Sequence, residues 1–75
     1  MKITVFYFAR LREEMGTDIS SMTITEGTTV LDLFKRLFPG MSDGIRFAVN
    51  QCYVEGGCLL EEGDEVAFLP PLGGG

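Results

Sequence analysis

The last six residues, Pro70-Pro71-Leu72-Gly73-Gly74-Gly75, end in the one group of this chain that is well placed to do chemistry, the terminal carboxylate of Gly75. Two prolines restrict φ and set an extended course, and a run of six extended residues reaches about 20 Å at about 3.3 Å each. Three glycines remove every Cβ before the end, so the backbone can thread a narrow channel and present its carboxylate without steric cover. A tail of this kind suits entry into the active site of another protein. A frayed, glycine-rich terminus is the plain alternative, and the diproline placed directly after an apolar segment argues against it.

The body of the chain offers no competing chemistry. It has no histidine and only two cysteines, Cys52 and Cys58, so neither a structural zinc site nor a cysteine activated by a neighbouring imidazole can be assembled. Two thiols are also too few for the disulfide framework of a small secreted domain, and they read as small packed hydrophobes. No glycine loop of nucleotide-binding type and no Ser-Lys pair is present. We therefore expect no metal, no cofactor bound by the chain itself and no catalysis by its own side chains.

Charge and hydropathy narrow the partners. The formal net charge is −5, with Glu61, Glu62, Asp64 and Glu65 close together before the tail. The sign of that charge argues against nucleic acid as a partner, and none is expected. The acidic stretch reads as a solvated turn that also favours encounter with a basic protein surface. Apolar runs such as Val5–Ala9 are far too short to cross a bilayer, and no basic segment with a cleavage site opens the chain; a cytoplasmic, membrane-free protein is expected.

The elements that must hold the tail follow from periodicity. Lys2–Phe8 is apolar on both faces and reads as a central strand, Ala9–Met15 as a short helix closed by Gly16, and Ser20–Thr25 as a half-exposed strand. Thr29 is a helix N-cap with Asp32 at the acidic position of a capping box, and Val30, Leu33, Phe34, Leu37 and Phe38 recur at helical spacing until Pro39-Gly40 ends the ladder. Phe47–Val54 reads as one further strand, Leu59-Leu60 as a minor strand or bridge, and Val66–Leu69 as a last strand stopped by the diproline. Residues 1–69 thus form one α+β domain and residues 70–75 an extended tail. A single long helix covers one sheet face only, so some of Phe6, Phe8, Phe47 and Phe68 are expected to form an exposed, partner-binding patch on the other.

Three segments carry a family resemblance: Phe8-Ala9-Arg10-Leu11-Arg12-Glu13, Ala48-Val49-Asn50-Gln51, and the run from Glu62 through Val66-Ala67-Phe68-Leu69-Pro70-Pro71 to Gly75. Together they resemble the small subunits of molybdopterin synthase, a family of ubiquitin-like sulfur carriers, over nearly the whole chain. The family pattern Phe-Pro-Pro-x-x-Gly-Gly is varied here at Leu69 and Gly73, while Gly74-Gly75 matches. The resemblance implies a β-grasp fold, with a mixed sheet and one main helix packed across it. It also implies a ubiquitin-activating-like adenylyltransferase that uses ATP to adenylate Gly75, a sulfur donor that converts the adenylate to a thiocarboxylate, and a large synthase subunit. The tail Pro70, Pro71, Leu72, Gly73 and Gly74 would thread that subunit's active site and deliver sulfur to cyclic pyranopterin monophosphate. Carriers for thiamine thiazole, tungsten cofactor, cysteine or tRNA thiolation are alternatives, as is a ubiquitin-like modifier or interaction module. Lys2 and Lys35, the only lysines, offer few sites for chain building and disfavour the modifier.

Overall fold

The computed structural model describes residues 1–41 and 44–71. Five strands form one mixed sheet in the order β2-β1-β5-β3-β4. β1 (Lys2–Tyr7) pairs antiparallel with β2 (Ile19–Thr23) and parallel with β5 (Glu65–Leu69), while β3 (Arg46–Val49) runs antiparallel to both β5 and β4 (Cys52–Val54). The two strands with apolar residues on both faces are therefore the central ones, as their composition demands.

α1 (Ala9–Met15) follows β1 at once and closes at Gly16, whose φ of 75° lets its N–H reach the Arg12 carbonyl at 2.9 Å. α2 (Val30–Leu37) is fixed at its start by a complete capping box. The Asp32 N–H donates to Thr29 Oγ1 at 3.1 Å, and the Thr29 N–H donates to Asp32 Oδ2 at 3.2 Å. Those hydrogen bonds, chiefly the backbone one from Thr29, hold the Asp32 carboxyl below its ordinary value of 3.8. The helix lays Val30, Leu33 and Phe34 onto Ile3, Val5, Tyr7, Val66 and Phe68, and this layer is the core.

Two expectations are corrected by the structure. Phe47–Val54 is two strands joined by a tight turn, because Asn50 and Gln51 both adopt left-handed φ, 51° and 70°. Asn50 is held there by β5: its N–H donates to the Glu65 carbonyl, its Oδ1 accepts from the Glu65 N–H, and its Nδ2 donates to Asp64 Oδ1 at 2.9 Å. Phe68 and Phe47 also leave the proposed exposed patch. Both lie on the helix-covered face, with ring centroids 5.2 Å and 5.6 Å from Phe34, and Phe68 is fully buried. The alternation along β5 and β3 forces this placement, since Val66 and Val49 already face the helix.

Candidate functional site: the tail root and the open sheet face

On the face away from α2, the register aligns a row of side chains across the sheet. Ile19, Phe6, Ala67, Ala48 and Tyr53 are successive cross-strand partners from β2 to β4. Two alanines at the centre leave room beside the Phe6 ring, and a shallow depression runs from Phe6 and Phe8 past Ala48 and Ala67 to Glu65. Phe8 and Tyr53 are exposed at 45% and 67%. This is an uncovered apolar strip of the kind that marks interaction surfaces.

The strip widens toward the tail. β1 and β5 are parallel, so the end of β1 and the end of β5 emerge at the same edge of the sheet. Phe8 is extended and Ala9 turns back with a φ of 51°, which leaves the Phe8 ring on the open face as α1 departs. A left-handed alanine is a strained placement. Beside it, Leu69 pairs with Arg46, and Pro70 and Pro71 follow outside the strand. Gly44, with φ of 66°, lies so close to Pro71 that a Cβ there would sit 3.3 Å from Pro71 Cγ. These residues enclose a groove of about 680 Å³ at the root of the tail. Among the described residues its one cation lies over an aromatic ring: the Arg46 guanidinium carbon lies 4.8 Å from the Tyr53 ring centroid.

Of the residues singled out from sequence, the structure brings Phe8, Pro70 and Pro71 together at this groove and sets Phe6 beside it. Leu72, Gly73, Gly74 and Gly75 lie outside the described residues. Gly44, Arg46 and Tyr53 were not singled out. The alternation of Arg46 and Ala48 with Phe47 and Val49 carries the signal that Arg46 faces away from the core, but the turn that brings Tyr53 beneath it does not show in residue type. Among the described residues no cluster of three metal-ligating side chains is found, and both cysteines are free.

Fold and tail together define a class: a β-grasp, ubiquitin-like domain whose central strand runs straight into a glycine-ended tail. SAMP1 from Haloferax volcanii has this fold, matching at a TM-score of 0.81 and 24% identity over the full length of both chains. The match to the ThiS family covers residues 5–75, and the chain belongs to that family. A human relative, the molybdopterin synthase sulfur carrier subunit, is 36% identical over 99% of this chain and 94% of its own. A solved complex of subunits 1 and 2 of molybdopterin-converting factor from Helicobacter pylori contains a similar fold, with a TM-score of 0.64, 18% identity and full coverage of both chains.

Proposed function

We propose that this protein is the sulfur carrier subunit of molybdopterin synthase. The observation that carries the proposal is the position of the tail's root: the central strand β5 leads at Leu69 into Pro70-Pro71 beside an uncovered apolar strip, in a chain matched over its length by a relative of that name. The Gly75 carboxylate attacks the α-phosphate of ATP on an activating adenylyltransferase, releasing pyrophosphate. A sulfide-level donor then displaces AMP from the acyl adenylate and leaves a thiocarboxylate. The tail carries that sulfur into the large subunit, where the thiocarboxylate sulfur bonds to cyclic pyranopterin monophosphate and water cleaves the acyl–sulfur bond, returning Gly75 as a carboxylate; one dithiolene needs two loaded carriers.

In this scheme the small protein positions and delivers, and its partners supply the acid, base and charged groups. It binds no cofactor of its own, ATP being held by the activating enzyme. The open strip, with Phe6 and Phe8, is the surface that seats the large subunit. Use of ATP and reduced sulfur fits a cytoplasmic location, away from membranes and nucleic acid, and among the described residues no helix is long and apolar enough to cross a membrane.

The test is intact mass. With MgATP, the activating enzyme and a sulfide source, the protein gains the mass difference between sulfur and oxygen, and a chain lacking Gly75 gains nothing. An unchanged mass of the full chain, under conditions that load a known family member, would overturn the sulfur role. Gly74→Ala is expected to slow loading or transfer while leaving the melting curve in place, because the added Cβ obstructs the channel and not the fold.

A further inference from the structure

The groove at the tail root is not uniformly apolar. Phe8, Leu69 and Pro70 line it with hydrocarbon, and Arg46 stands among them with its guanidinium over the Tyr53 ring. The face of the Tyr53 ring attracts the guanidinium, whose N–H donors form a fork that matches a carboxylate. An arginine already seated on an aromatic ring loses less side-chain freedom when it binds an anion than one that is free in water. Arg46 is also an exception in its setting: the chain carries −5 overall, and the opposite end of the same strip is bounded by Glu65. Along β5, Glu65 and Leu69 are separated by about 13 Å at about 3.3 Å per residue. The strip is thus acidic where β5 begins and carries Arg46 where the tail leaves, with Glu55 the one acidic neighbour beside Arg46 and Tyr53 among the described residues.

From this geometry we propose that the tail-root groove reads a carboxylate. An Asp or Glu side chain of the large synthase subunit engages the edge of Arg46, and a neighbouring apolar side chain of that subunit fills the space between Phe8, Leu69 and Pro70. The inference rests on the reading that the open strip seats the large subunit, and it adds the charge that fixes which way round the partner sits. A partner placed in reverse would set its carboxylate against Glu65, and such juxtaposition of like charges is strongly disfavoured at an interface. Because Leu69 pairs directly with Arg46, the contact also settles where the tail enters.

The test is binding of full-length variants to the cognate large subunit, by calorimetry at two salt concentrations, with thermal melts to show that each variant is folded. Arg46→Ala is expected to weaken the complex about 10-fold and Arg46→Glu about 100-fold. Arg46→Lys falls between wild type and Arg46→Ala, since it keeps the charge and loses the planar fork. Arg46→Ala also shows a shallower loss of affinity with added salt. Arg36→Glu makes the same change in net charge as Arg46→Glu on α2, the far side of the sheet, and stays within about twofold of wild type.

Arg46→Glu binding within twofold of wild type, while Phe8→Asp loses the complex, overturns the carboxylate subsite and leaves the docking strip standing. Equal losses from Arg36→Glu and Arg46→Glu overturn it in favour of a general effect of charge. Normal binding by Phe8→Asp removes the docking reading itself.

Discussion

The two faces of the sheet are built from the same strands and answer to different demands. Under α2, every inward position from Ile3 to Phe68 is filled and aromatic rings meet edge to face: Phe34, Phe47 and Phe68 lie within 6 Å of one another. On the open face the same strands and the adjoining Phe8 present two alanines, two exposed rings and one arginine lying over a ring. The covered face has its partner within the chain; the open face has no helix laid over it among the described residues. Residues on the first should therefore govern stability, and residues on the second association.

Substitutions can break that division, and the largest effect belongs to the covered face. Leu33→Ala removes a fully buried side chain from the middle of α2 and is expected to cost about 2 to 5 kcal/mol in denaturant unfolding, a large share of the stability of so small a domain. A change under about 0.5 kcal/mol would show that the face is not packed as described. Thr29→Ala removes the side-chain cap of α2 and is expected to cost about 1 kcal/mol. The same cap has a pH signature. Asp32 has a lowered pKa in the folded state, so its contribution is fully present at neutral pH and is lost as the pH falls below 3.8 through the lowered value. In Asp32→Asn that portion of the acid limb should flatten. The smallest effect on stability belongs to the open face: Phe8→Asp, at a half-exposed position, is expected to shift unfolding by less than about 0.5 kcal/mol while abolishing the complex with the large subunit. A substantial loss of stability there would mean that the strip is part of the core.

How far the sequence disclosed this division depends on the range over which each signal acts. α2 was legible because its start is encoded within four residues by Thr29 and Asp32 and its stop by Pro39-Gly40. β1 and β5 were legible as central strands because both faces are apolar. The β3–β4 turn was not, since Asn50-Gln51 is a weaker turn signal than Asn-Gly, and what holds Asn50 in its left-handed geometry is a set of bonds to Asp64 and Glu65 far along the chain. Losing that turn hid the facing of Tyr53, and with it the aromatic seat beneath Arg46. The four phenylalanines offered as a patch could be divided only by strand register. Val66 opposite Val49 fixes that register, and no local pattern reveals it. The tail was read from residue type alone, and of it the structure describes only Pro70 and Pro71.

The parallel pairing of β1 with β5 means that the middle of the sheet is completed by the last of the described strands. Until Glu65–Leu69 arrives, β1 has only β2 beside it and the β3–β4 hairpin has no neighbour to lean on. The sheet is therefore closed by a contact between segments far apart in sequence, and folding should be slower than for a helical domain of this size. The event that closes the sheet is also the one that brings Pro70 and Pro71 to its edge, so the root of the tail takes its place only in the folded molecule.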